Sequence, residues 1–135
     1  RVSTNEQKKD LEGQAKRCID FANANGLSVN KVVKEIASGL NDERPKLNDL
    51  LNDENITTII VEHKDRLTRF GFNYIKTLLE QRPCNILVVN TVDTEKEDLM
   101  QDFISVITSF CARIYSKRRT KKQVEKIIEL SQVQE

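Results

Sequence analysis

Ile56-Thr57-Thr58-Ile59-Ile60-Val61-Glu62-His63-Lys64-Asp65-Arg66-Leu67-Thr68-Arg69 passes from a nearly continuous apolar run to a charged segment. A run of that kind, with almost no polar alternation, is what a strand covered on both faces of a parallel sheet requires. Beyond it, Gly71 precedes a helical pattern over residues 73–81, with Ile75, Leu78 and Leu79 inward and Pro83 as its stop. Residues 85–90 form a second buried apolar run through Ile86, Leu87, Val88 and Val89. Towards the amino end, Pro45 suits the first turn of a short helix carrying Leu47, Leu50 and Leu51. Ser38-Gly39-Leu40-Asn41 reads as a loop, and residues 29–36, rich in β-branched side chains, read as a strand. Over residues 10–25, Leu11, Ala15, Cys18, Ile19 and Ala22 fall on one helical face, and Gly26 ends the pattern. Alternating helix and strand predict an α/β fold: an open, mainly parallel sheet with flanking helices.

The pattern changes near residue 96. Leu99, Phe103, Val106, Ile107, Phe110 and Ile114 recur every three or four positions, with no Gly or Pro from there to Glu135. One continuous helix over residues 97–131 is about 50 Å long at the standard rise, against about 30–35 Å for a domain of this size. The expected organisation is an α/β core over residues 1–95 and a long helix over 96–131. The apolar stripe of that helix seeks a second copy of the chain, giving a homodimer or homotetramer.

Composition bounds the rest. At 135 residues, 32% charged and 5% aromatic, the chain suits one polar globular domain. A net charge of +1 announces no partner, so charge placement must. Cys18, Cys84 and Cys111 are odd in number and widely spaced, which disfavours a zinc site or a disulfide framework and suits a reducing cytosol. No run of 18 apolar residues and no signal peptide appear, so no membrane partner is expected. The sequence opens on Arg1 rather than Met, and an upstream segment is expected.

Ser3 is a candidate nucleophile, but a free hydroxyl is weak without activation. His63 is the single histidine, there is no G-x-S-x-G elbow, and no acidic or histidine cluster has metal-ligand spacing. The chain supplies arginine instead: Arg1 two residues from Ser3, Arg66 and Arg69 three apart on one helical turn, and Arg44 at the start of the short helix. Guanidinium groups fork onto phosphate oxygens and stabilise the crowded, negative transition state of in-line attack. Lys117, Arg118, Arg119, Lys121 and Lys122 form the strongest basic cluster, suited to salt-dependent contact with double-stranded DNA.

Arg1-Val2-Ser3-Thr4, Gln7, Leu11, Gln14, Ser38-Gly39, Arg44 and Asp65-Arg66-Leu67-x-Arg69, in that order, resemble the catalytic domain of the serine site-specific recombinases, the resolvases and DNA invertases. The resemblance covers about residues 1–120. Glu62-His63-Lys64-Asp65-Arg66-Leu67 and Ser109-Phe110-Cys111-Ala112-Arg113 are similar to the branch of serine transposases of small insertion sequences, which carry their DNA-binding domain ahead of the catalytic domain. The resemblance implies a resolvase-like fold, with Ser3 attacking a DNA phosphate to leave a 5′-phosphoserine and a free 3′-hydroxyl. It implies that Arg1, Arg66 and Arg69 bind that phosphate and that Arg44 adds a contact. Asp65 would orient the arginines or handle a proton, and Gln14 and Arg113 would support the site. Rejoining would need no ATP, metal or other cofactor, and four subunits would act together at the chromosome, in the cytoplasm. It also implies a short central strand ahead of Arg1, and site choice by a domain outside this sequence.

Plainer readings stand beside these. Ser3 in Ser-Thr-Asn-Glu-Gln suits a helix cap. Arg66 and Arg69 suit surface ion pairs with Asp65 or Glu62, residues 117–122 suit a solvated helix face, and His63 suits a structural role. The alternative function is a non-catalytic oligomerisation and DNA-binding module. A small-molecule phosphate enzyme lacks a Gly-rich loop, because Gly13, Gly26, Gly39 and Gly71 are isolated.

Overall fold

The computed structural model describes residues 1–91, 96–114 and 117–132, with side chains from residue 99 in the first C-terminal helix and from residue 122 in the second. Two compact units divide the chain, Arg1–Thr94 and Glu95–Glu135.

In the first unit a 3₁₀ turn, Asn5–Gln7, leads into helix α1, Lys8–Ala24. Helix α2 is Pro45–Asn52, with proline in its first turn, where the missing N–H costs nothing. Strand β1, Thr58–Val61, is followed by one helical turn, α3, Lys64–Leu67. Helix α4, Phe72–Glu80, then crosses to strand β2, Asn85–Val88. Gly71 caps α4 with φ of 80°, a left-handed conformation that a side chain resists. The strands are parallel, with Ile59 beside Ile86 and Ile60 beside Leu87. The pairing continues past the ladder through the Val89 and Asn90 N–H groups, which donate to Val61 and Glu62.

Ile59, Leu79 and Cys84 are buried at the centre, with Leu50, Leu51, Ile75 and Ile86 packed around them. Leu78, expected inward, is 65% exposed; one turn position away, Leu79 takes the core site. Residues 29–35 form no ladder, contrary to the strand expected there. Only Ile36 is bridged, in parallel, to Val2. β-branched content favours a strand, but hydrogen-bonded pairing makes one. Residues 27–34, residues 55–62 and the α1 side chains Leu11, Ala15 and Cys18 line a cleft of about 730 Å³.

The second unit contains α5, Lys96–Ile114, and α6, Lys117–Gln132, which pack against one another. The helical segment expected over residues 96–131 is thus described as α5 and α6, and residues 115–116 between them lie outside the described residues. Val124 and Ile128, one turn apart, are buried, while Leu99, Phe103, Phe110 and Ile114 of α5 are exposed.

Candidate active site

Val2 sets the geometry. Its side chain is fully buried, its N–H donates to the Glu35 carbonyl at 3.2 Å, and its own carbonyl accepts from Ala37 at 2.9 Å. Side chains alternate along an extended backbone, so Arg1 and Ser3 share the opposite face. Arg1 Nη1 donates to Ser3 Oγ at 3.0 Å and to the Ala37 carbonyl at 3.0 Å, and Arg1 Nη2 donates to the Asp65 carbonyl. Ser3 does not cap the following turn. Thr4 holds the cap position, and Gln7 Oε1 reaches back to accept from the Ser3 and Thr4 N–H groups at 3.0 and 3.1 Å.

Asp65 also binds Arg69, Nη1 to Oδ2 at 2.6 Å, with both side chains largely buried. Ser3, Arg1, Asp65 and Arg69 are thus joined in one hydrogen-bonded chain. Arg66 and Arg69 do not share a helical turn: α3 ends at Leu67, and Thr68 is extended. The two arginines take different partners. Arg66 Nη2 lies 3.8 Å from Asp10 Oδ2, and Asp10 accepts from Gln14 Nε2 at 2.6 Å. Gln14, buried in α1, accepts from the Arg1 backbone nitrogen at 3.5 Å. Arg44 is buried, bound through Nε to Glu35 Oε2 at 2.7 Å and through Nη1 to the Leu67 carbonyl. A small cavity of about 60 Å³ is lined by Arg1, Glu35, Arg44 and Arg66, so three of the predicted arginines and a carboxylate meet around one space.

Arg113 is exposed on α5 and Lys122 on α6. The side chains of Lys117, Arg118, Arg119 and Lys121 lie outside the described residues. Of the plainer ion pairs with Asp65 or Glu62, the one between Arg69 and Asp65 forms, and none with Glu62 is among the ion pairs described. Glu62 instead binds Arg17 of α1 through both carboxylate oxygens, which raises the Arg17 pKa. Burial, and then Glu62, raise the Cys18 thiol above its ordinary value.

Sequence reasoning missed Asp10 and Glu35. Asp10 carried a signal, four residues from Gln14 on one helical face. Glu35 carried none, because its partner lies across a loop.

Chemically, a guanidinium donating to a serine oxygen stabilises developing negative charge there, and neighbouring arginines supply donors for phosphate oxygens. Among the described residues no group of three or more His, Cys, Asp or Glu side chains is placed to hold a metal ion. No described helix is long and apolar enough to cross a membrane.

With its parallel strands, flanking helices and this serine–arginine arrangement, the chain matches the family described as Resolvase, N terminal domain, over residues 1–129, and it belongs to that family. It is 35% identical to the C-terminal catalytic domain of IS1535 TnpA, an IS607-like serine recombinase, with a TM-score of 0.85 covering 96% of this chain and 93% of that one. It is 38% identical to the corresponding domain of ISC1926 TnpA, also IS607-like, with a TM-score of 0.83 covering 96% and 92%. An uncharacterized protein of Mycobacterium bovis is 36% identical over 118 residues, 87% of this chain. The chain spans 40% of the length of that relative.

Proposed function

We propose that this chain cuts and rejoins double-stranded DNA through a phosphoserine at Ser3. The observation that carries the reading is the 3.0 Å hydrogen bond from Arg1 to Ser3 Oγ, within a chain of contacts that continues to Asp65 and Arg69. Ser3 Oγ attacks a phosphodiester in line with the 3′ oxygen. As the Oγ–P bond forms, the P–O3′ bond breaks. The hydroxyl proton leaves Oγ and the departing 3′ oxygen gains one, giving a 5′-phosphoserine and a free 3′-hydroxyl. Attack by a 3′-hydroxyl reverses these steps, so bond energy is kept and no nucleotide cofactor is consumed. Arg1, Arg66 and Arg69 hold phosphate oxygens. Arg44, pinned by Glu35, keeps the Leu67 end of α3 in place, and Asp65 aims Arg69. Gln14 supports Arg66 through Asp10.

Residues 1–95 form the catalytic core in this reading. The C-terminal unit assembles copies through α5, and its basic cluster, with Arg113, contacts DNA. The test is incubation with nicked duplexes of randomised sequence, followed by denaturing electrophoresis. Wild-type chain is expected to give a covalent protein–DNA band and Ser3→Ala none. An equal band from a folded Ser3→Ala chain contradicts the proposal. Salt-sensitive binding that survives Ser3→Ala, with no band from either chain, supports the non-catalytic module instead.

A further inference from the structure

Gly39 is buried in the loop between Ile36 and Arg44, and its surroundings leave no room for a side chain. A Cβ at this position would lie 2.9 Å from Arg1 Nη2, 3.1 Å from Arg1 Cζ and 3.2 Å from Arg69 Cβ. The first distance is below any ordinary carbon contact. The atoms it meets belong to the guanidinium that donates to Ser3 Oγ and to the Asp65 carbonyl. The third atom is fixed to the backbone of Arg69. That backbone is itself tied to the same loop, because the Arg69 N–H donates to the Gly39 carbonyl at 2.9 Å and Thr68 Oγ1 donates to it at 3.3 Å. Ser38 closes the turn by accepting from the Leu40 N–H at 3.2 Å.

We infer that Gly39 is a positioning residue: its missing side chain admits the Arg1 guanidinium to Ser3 while its carbonyl holds the Arg69 segment beside it. The inference rests on the phosphoserine reading for its effect on chemistry, but the contact itself is independent of that reading. An added methyl pushes against the far end of a flexible side chain, which can swing away without unfolding the domain. What is lost is then the placement of Arg1, and a displacement of about 1 Å at a reacting group costs about 10²-fold in rate.

The test is a double-mutant cycle on the full chain with Gly39→Ala, Arg1→Ala and the pair. Two readouts are taken: the rate of covalent adduct formation on nicked duplex, and the melting temperature. Gly39→Ala is expected to slow the adduct by about 10²-fold. The double variant is expected to be no slower than Arg1→Ala alone, because both changes remove the same contact. Independent, multiplying losses overturn the inference. If Gly39→Ala also melts early, adding Arg1→Ala recovers part of the melting temperature by removing the two closer contacts, Arg69 Cβ at 3.2 Å remaining, and no recovery at all overturns the inference as well. A wild-type chain that forms no adduct contradicts the phosphoserine reading. The melting arm then still decides whether Gly39 and Arg1 are coupled.

Discussion

Ser3 and Arg1 are hydrogen-bonded to one another because Val2 between them is pinned to the residue 35–37 backbone, which leaves both side chains on one face. Removing one donor to a developing charge typically costs about 10²–10³ in rate, or roughly 3–4 kcal/mol. Arg1→Ala and Arg69→Ala are therefore each expected to lower the rate of adduct formation by that factor with circular dichroism unchanged; a loss under about tenfold argues against direct contact with the phosphate. Glu35 acts differently. It is largely buried against a buried Arg44, and taking away one partner of such a pair typically costs about 3–5 kcal/mol. Glu35→Ala should lower stability by that order in urea titration, whereas a change within about 0.5 kcal/mol would place the pair among surface contacts. The residues adjacent in sequence, Arg1 to Ser3 and Asp65 to Arg69, were legible because their chemistry sits in short motifs. Asp10 and Glu35 escaped notice because each faces an arginine brought near by the fold.

At the scale of elements, apolar runs and helical spacing located α1, α2, β1, α4 and β2, since each buries a face that its own sequence marks. Residues 29–36 show the limit: a strand exists by virtue of its neighbour, and a local pattern does not say whether one is present. Helix α1 also carries a pH-sensitive group. The Cys18 thiol is held above its ordinary value of 9.0, chiefly by burial. A pKa raised on folding favours the protonated fold, so its contribution is complete below the unfolded value and fades as pH climbs through the folded one. The urea midpoint of the wild-type chain should therefore fall more steeply above pH 9 than that of Cys18→Ala. Parallel curves would show that the thiol is not desolvated.

For the whole molecule, the proposed reading gives chemistry to the first unit and assembly to the second. Leu99, Phe103, Phe110 and Ile114 expose apolar surface along α5, with spacing that repeats on one side of the helix. In the proposed reading this surface is where copies of the chain associate. Phe103→Lys together with Phe110→Lys is expected to shift the mass from light scattering down to that of one chain at micromolar concentration, while an unchanged larger mass would locate the interface elsewhere. The most direct test of the central claim is to digest the covalent protein–DNA product and locate the nucleotide by tandem mass spectrometry. A 5′-phosphate ester on Ser3 is the predicted result. A nucleotide on any other side chain, or a 3′-phosphate linkage, would contradict the account.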